Sequence, residues 1–156
     1  MNFKKAVKII FEHEGFYSND AQDAGGETKY GISKKAYPEL DIKNLTIQHA
    51  EFIYENDYWM KCKCAGLPEQ LRLAVFDCAV NQGVTFASKA LQAACEAKID
   101  GFIGPKTLDA CNSKNPDEVL EEFLKERLHR YLSTKGFERF GKGWLNRLIA
   151  ISVKTK

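Results

Sequence analysis

A stripe of apolar residues that ends on a glutamate most constrains how this chain can fold. Phe3, Val7 and Ile10 recur at steps of four and three residues, which is the spacing of one buried helical face. The next step of four reaches Glu14, so a carboxyl group lies where the pattern requires a core residue, in the last turn of the helix. Burial and the carbonyl oxygens of a helix end both favour the neutral acid, which can donate a proton. On the stripe alone, an exposed glutamate rotated away from the core is an equal alternative.

The segment 15–31 is a long polar loop rich in Gly, Asn, Asp and Ser. Gly25-Gly26 permits left-handed backbone. The aromatic residues of the segment can anchor the loop, or the segment can pair as a short hairpin. Asp23 lies nine positions after Glu14, and Thr28 lies five after Asp23. An acid on a helix end with a second carboxylate nearby is what glycoside hydrolysis requires. The alternative for Asp23 is a turn-former that hydrogen-bonds its own backbone.

Several stretches of the chain resemble one known family. The first is the run from Glu14 to Ile32, which reads E-G-F-Y-S-N-D-A-Q-D-A-G-G-E-T-K-Y-G-I. The others follow in order at compatible spacing: Phe76–Gly83, Leu91–Ala94, Asp100–Leu108 and Phe140–Arg147. Together these runs resemble glycoside hydrolase family 108, the lysozyme-like N-acetylmuramidases of phages and bacteria, some of which are labelled secretion activators. The resemblance covers nearly the whole chain.

The resemblance implies roles for matching residues. Glu14 falls on the family's catalytic glutamate, the expected proton donor. Asp23 and Thr28 fall near the second acidic residue and the threonine of the wider phage-lysozyme pattern, although their spacing is one residue short. Phe16 stands where the family has a second glycine, and Ala24 replaces a common proline. The bulky Phe16 can alter the backbone beside the acid, or it can exclude water from it.

Four more residues are candidates for substrate binding. Asp77 and Asn81 lie one helical turn apart on a largely apolar segment. They can point into the cleft, or they can be satisfied core groups that fix helix packing. The sequence favours the core role for Asp77 and leaves both roles open for Asn81, which precedes Gln82. Tyr30 belongs to the loop and can stack on a sugar ring, whereas aromatics at helical spacing are more often core.

Composition and cysteine count narrow the classes of function. Lys and Arg total 23 and Asp and Glu total 21, for a formal charge of +2, which lacks the strong basicity of a nucleic-acid binder. The five cysteines are an odd number, and Cys62-Lys63-Cys64 is not a zinc spacing. We therefore expect mostly reduced cysteines, several of them buried, with no metal site and no cofactor.

The N-terminus does not resemble a signal peptide, because lysines interrupt its short apolar run and acidic residues follow at once. No stretch approaches the ~20 apolar residues of a membrane span. We expect a monomer that is made in the cytoplasm and is not inserted in a membrane. It would act on the cell wall after release by another route, such as a phage holin or a dedicated secretion system.

Beyond the loop, the spacing predicts helices joined by short turns. Thr46 is a candidate N-cap and Pro68 suits a first helical turn. The later helices are predicted over Phe86–Ala97, Thr107–Cys111, Pro116 to Gly136, and Trp144–Val153. The fold class is mainly α, and the resemblance implies a single lysozyme-like domain with a small β-hairpin or irregular loop beside the active site. Residues 1–84 would form a catalytic lobe, and 85–156 a helical lobe resembling a peptidoglycan-binding module.

These observations predict a lysozyme-type N-acetylmuramidase with Glu14 as general acid. Its substrate would be the glycan strands of peptidoglycan, cleaved at the β-1,4 bond between N-acetylmuramic acid and N-acetylglucosamine; substrate and bond come from the resemblance. Two alternatives stay open. One is a non-catalytic wall-binding or secretion-helper protein, and the other is a lytic transglycosylase, which uses a single glutamate.

Overall fold

Helices dominate the fold, as the sequence predicts. The computed structural model describes residues 1–14, 17–18 and 26–155. The first helix, α1 (Phe3–Glu14), carries the predicted stripe, because Phe3, Val7 and Ile10 are all buried in the core. Glu14 is the last residue of α1 and is half-buried. The helical period therefore brings this carboxyl group to the margin of the core.

A small antiparallel sheet follows α1, where the sequence predicts a hairpin or an irregular loop. Its strands are β1 (Tyr17–Ser18), β2 (Thr28–Lys29) and β3 (Ile32–Ser33), in the order β1-β2-β3. Thr28 pairs with Ser33 across β2 and β3. The intervening Tyr30-Gly31 turn has positive φ at both residues, 52° and 75°. Two positive φ values are what a tight two-residue hairpin turn requires, so this turn directs β3 back along β2.

The next helix, α2 (Ile47–Tyr54), begins after Thr46, whose side chain accepts a hydrogen bond from the His49 backbone N–H at 3.2 Å. That confirms Thr46 as the N-cap. The chain continues through a π-helical turn, Glu55–Trp59, in which Trp59 is buried. A 3₁₀ turn at Cys64–Gly66 then leads into the central helix. The five cysteines are all free and buried.

The central helix, α3 (Glu69–Gln82), packs against α1 and against three of the helices that follow. Those that follow are α4 (Val84–Ala94), α5 (Pro105–Ser113), α6 (Pro116–Ser133) and α7 (Phe137–Lys154). The helices in contact with α3 are α4, α6 and α7. Side chains on α3 therefore lie between the N-terminal part of the chain and its C-terminal helices. No helix within the described ranges is long and apolar enough to cross a membrane.

The predicted bounds of the later helices were wrong in places. The last helix begins at Phe137 rather than at Trp144, and α4 runs over Val84–Ala94 instead of Phe86–Ala97. Two glycines within α7 disfavour helix in any local reading. One of them, Gly141, is a packing residue, because a Cβ there would lie 2.7 Å from the ring of Phe137. This ring contact, from four residues earlier in the same helix, offsets the low helix propensity of glycine.

Candidate active site

Glu14 occupies the position that its helical spacing predicts. Its side chain is 22% exposed, and its Oε1 atom accepts a hydrogen bond from Arg147 Nη1 at 2.6 Å. The carboxyl group is therefore shielded on most of its surface and still reachable from solvent. The arginine is a partner that the stripe cannot reveal, because it lies 133 residues further along the chain.

The β2–β3 turn lies directly against Glu14. Gly31 has φ +75°, and a Cβ at this residue would lie 2.9 Å from Cβ and Cγ of Glu14 and 2.5 Å from the hydroxyl of Tyr54. Only glycine combines this backbone with so close an approach. The Tyr54 hydroxyl donates to the Tyr30 carbonyl at 2.9 Å. The hairpin and α2 thus confine the stem of Glu14 from two sides.

Tyr54 remains a neutral hydrogen-bond donor beside the acid. Burial is the main cause that raises its pKa well above the usual range, and the nearby charge of Glu14 adds to that rise. Its ring packs edge-on against Phe11, with centroids 5.4 Å apart. The phenol therefore fixes the turn and does not supply a charge to the site.

A buried ionic network continues from Arg147 into the core. Asp77 is fully buried, and its Oδ1 atom accepts from Arg147 Nε at 2.8 Å while Oδ2 accepts from Arg127 Nη2 at 2.7 Å. Arg147 Nη2 also lies 2.8 Å from Oδ1, although its N–H groups do not point at an acceptor. Burial lowers the pKa of Arg147, but Asp77 and then Glu14 outweigh it, so the pKa is raised. Two carboxylates balance two guanidinium groups here.

This network supports the core role that the sequence favours for Asp77 over a substrate-binding role. Its side chain is 0% exposed and is held by two arginines. Asp77 is therefore a satisfied core polar group, and its part in substrate binding stays a prediction. It fixes Arg147, and Arg147 in turn holds Glu14.

The other predicted binding residues on α3 line a cavity. Asn81 is exposed, and its Oδ1 atom accepts from the Tyr131 hydroxyl. Gln82 is held at both ends by Arg127, accepting from Nε at 3.0 Å and donating to the backbone carbonyl at 3.3 Å. The cavity has a volume of about 210 Å³ and is lined by Asn81, Gln82, Arg130, Tyr131, Thr134 and Trp144. We call it the Trp144 cavity.

Of the three predicted residues in the loop after α1, the structure describes Thr28 and Tyr30. Thr28 is half-buried, and its hydroxyl donates to the Gly26 carbonyl at 3.2 Å. Tyr30 is half-buried with its ring centroid 5.6 Å from that of Phe11, so this residue of the turn packs against α1. Asp23, the predicted second carboxylate, lies outside the described residues.

The sequence analysis did not predict the ionic network behind Glu14, although the sequence contains one signal for it. Arg127 falls at helical spacing among the apolar residues on the inner face of α6, and the structure buries it completely. A buried guanidinium requires an acidic partner, and Asp77 is a carboxylate on a similarly apolar helix. Arg147 carries no such signal, because its neighbours in the sequence are both polar and apolar. Among the described residues, no three His, Cys, Asp or Glu side chains cluster as metal ligands would.

Comparisons with known proteins identify the family of this chain. The sequence profile described as Glycosyl hydrolase 108 matches residues 7–83, and the profile described as Predicted Peptidoglycan domain matches residues 83–149. The solved structure of Brucella abortus SagA is 32% identical, with a TM-score of 0.89, over 98% of this chain and 92% of that one. No curated protein sequence matches.

Proposed function

Because this chain belongs to the glycosyl hydrolase 108 family, we propose that it is an N-acetylmuramidase. The two profile matches support a glycoside hydrolase that acts on peptidoglycan. The bond that we assign is the β-1,4 linkage between N-acetylmuramic acid and N-acetylglucosamine. The observation that carries this proposal is the Glu14 carboxyl group, which is partly exposed at the end of α1 between the hairpin turn and Arg147.

In the proposed reaction, Glu14 protonates the glycosidic oxygen as the bond to the anomeric carbon breaks. A sugar lying over the carboxyl group would exclude water from it, which favours the neutral acid before transfer. Asp23 would be the second carboxylate, with Thr28 near it, and would either attack the anomeric carbon or activate water. A separation of ~5 Å between the carboxyl groups indicates a nucleophile, and ~6.5–9.5 Å indicates an intervening water.

Arg147 has a defined part in this scheme. When Glu14 gives up its proton, it becomes an anion again, and the guanidinium is already within hydrogen-bond distance of it. A fixed cation beside a developing negative charge lowers the free energy of the transfer step. Asp77 holds Arg147 through Nε throughout, so the guanidinium keeps its orientation while Glu14 changes charge.

The same ion pair supports one other candidate function. A glutamate held in an ion pair with an arginine is also what we expect in a wall-binding or secretion-helper protein whose hydrolase site is inactive. That protein would bind glycan strands through the same surface and release no products. The export route and the monomeric state stay predictions under either function.

Product analysis separates these functions. Purified peptidoglycan is incubated with the protein, and the soluble fragments are identified by mass spectrometry. A muramidase gives fragments with a reducing N-acetylmuramic acid end. A 1,6-anhydromuramic end would instead indicate a lytic transglycosylase. A reducing N-acetylglucosamine end would contradict our assignment of the bond, and the absence of fragments would favour the wall-binding function.

A further inference from the structure

The Trp144 cavity lies where three helices meet. Asn81 and Gln82 come from the end of α3, and Arg130 and Tyr131 from the end of α6, with Trp144 contributed by α7. Its volume of about 210 Å³ is far smaller than a glycan strand requires. A cavity of this size suits one chemical group of a larger ligand.

The cavity wall is rigid before any ligand arrives. The rings of Tyr131 and Trp144 stack with centroids 5.4 Å apart and an interplanar angle of 20°. The Tyr131 hydroxyl is bonded to Asn81, and it accepts from Arg127 Nη2 at 3.3 Å. Gln82 is fixed at both ends by Arg127. A preorganised wall loses little conformational entropy when a ligand binds.

The wall offers donors and no negative charge. None of its six lining residues is acidic. The Arg130 guanidinium lies 5.0 Å from the centroid of the Phe86 ring, and it makes no ion pair with any residue that the structure describes. The amide nitrogen of Asn81 and the indole nitrogen of Trp144 likewise have no acceptor within the described ranges. These groups suit a carboxylate, which accepts several hydrogen bonds and carries the complementary charge.

The cavity is connected to the acid by a continuous set of contacts. Trp144 precedes Arg147 by one turn of α7, which is ~5 Å along the helix axis. Hydrogen bonds join the cavity wall to the acid in the order Asn81, Tyr131, Arg127, Asp77, Arg147 and Glu14. The cavity and the carboxyl group therefore share one hydrogen-bond network, and Trp144 and Arg147 lie on the same helix.

We propose that the Trp144 cavity binds a carboxylate of the peptide stem that muramic acid carries, with Arg130 as its charge partner. This inference rests on the proposed function, since it assumes that peptidoglycan is the substrate. It adds a specificity: strands that carry peptide stems are preferred over strands from which the stems have been removed. In this proposal the glycan binds at Glu14 and the peptide stem binds at Arg130.

A binding experiment tests the cavity without using catalysis. Muramyl dipeptide, which has one sugar and a free carboxylate, is titrated while tryptophan fluorescence is recorded; Trp59 is buried, so the cavity-lining Trp144 is the expected reporter. Arg130→Gln should weaken binding by about 10-fold, and the carboxamide form of the ligand should bind wild type equally weakly.

The matched control is Arg139→Gln, because Arg139 also lies 5.0 Å from an aromatic ring, that of Phe140, and does not line the cavity. The control should stay within about twofold of wild type.

Three results would overturn the inference. They are the absence of saturable binding to wild type, equal effects of Arg130→Gln and Arg139→Gln, and tight binding of the carboxamide. Because Arg130 is exposed, its variant is expected to fold, and the urea midpoint verifies this.

A second experiment separates this inference from the proposed function. Hydrolysis is measured on stem-bearing strands and on strands stripped of stems, and Arg130→Gln should lower kcat/KM by about 10-fold on the stem-bearing strands alone. If nothing is hydrolysed and muramyl dipeptide still binds through Arg130, the muramidase proposal fails and the cavity stands. If strands are hydrolysed and Arg130→Gln leaves both binding and stem preference unchanged, the cavity proposal fails alone.

Discussion

Two buried polar side chains of this protein, Asp77 on α3 and Gln92 on α4, lie in networks of opposite character. Both are 0% exposed. The partners of Asp77 are two guanidinium groups, 50 and 70 residues away along the chain. The partners of Gln92 are neutral groups or a surface carboxylate within 8 to 15 residues, including Asp100 at 2.8 Å and Thr107 at 3.3 Å.

The two networks have different consequences for function. The network of Gln92 closes one turn, because its Oε1 atom accepts from the backbone N–H groups of Asp100 and Gly101 at 3.1 and 2.8 Å. The network of Asp77 joins α3, α6 and α7 to the carboxyl group at the end of α1. Substitutions in the Gln92 network should therefore lower stability alone, whereas substitutions in the Asp77 network should lower both stability and catalytic activity.

The largest expected effect is that of Asp77→Ala. Removing this carboxylate leaves two buried guanidinium groups without a charge partner, which should cost about 3–5 kcal/mol of the free energy of unfolding. Urea denaturation measures the loss. Asp109→Ala is the control, since Asp109 is exposed on α5, and it should change the free energy by less than about 0.5 kcal/mol. A loss at Asp77 no larger than that at Gln92 would contradict the distinction between ionic and neutral networks.

Arg147→Gln should have the next largest effect on stability, about 2 kcal/mol, because Asp77 keeps Arg127 as a partner. It should also lower kcat for peptidoglycan by about 10- to 100-fold, since Glu14 loses the group that orients it. Lys154→Gln is a matched control, because Lys154 joins the same two helices through an exposed ion pair with Glu12 at 2.7 Å. That variant should lose less than about 1 kcal/mol and keep its activity. Equal kcat values for the two variants would exclude Arg147 from the reaction.

Gln92→Leu should cost about 1–2 kcal/mol, which is less than either ionic change. Two of the residues that it releases, Asp100 and Phe102, are exposed, so water can satisfy their polar groups, whereas Thr107 is buried. The unfolding free energy and the rate of hydrolysis per folded molecule are measured together. A lower rate per folded molecule would show that the turn after α4 is coupled to the active site, and it would contradict the expectation that the Gln92 network affects stability alone.

The smallest effect concerns Asp100 and pH. The hydrogen bond from Gln92, with a second from the Phe102 N–H, holds the pKa of Asp100 below its usual range. Because the folded-state pKa is depressed, the stabilisation is present above the unfolded value of about 4 and is lost as the pH falls through the folded value. The urea midpoint of Asp100→Asn should consequently fall less than that of wild type between pH 6 and pH 3. Identical falls would show that the Gln92 network does not depend on this charge.

The features that the sequence predicted correctly depend on short-range spacing. The stripe that ends at Glu14 and the cap at Thr46 each involve residues within one or two helical turns, and the hairpin lies within a single loop. Local physics therefore accounts for the helices and for the position of the acid.

The features that it did not predict depend on partners far along the chain. Glu14 and Arg147 are 133 residues apart, so no spacing rule connects them. The start of α7 is an exception, because Phe137 packs on Gly141 only four residues away in the same helix, and glycine propensity alone does not include that contact. The position of the Glu14 carboxyl group could be inferred from sequence, but the charges around it required the assembled core.

The most direct test of this account is the rate at which Glu14→Gln releases reducing ends from purified peptidoglycan, compared with Glu12→Gln. Glu12 lies on the same helix and also pairs with a cation of α7, so its variant matches the change in charge. We expect Glu14→Gln to lose activity by about 100- to 10,000-fold and Glu12→Gln to stay within about twofold of wild type. Equal rates for Glu14→Gln and wild type would contradict the assignment of Glu14 as the acid.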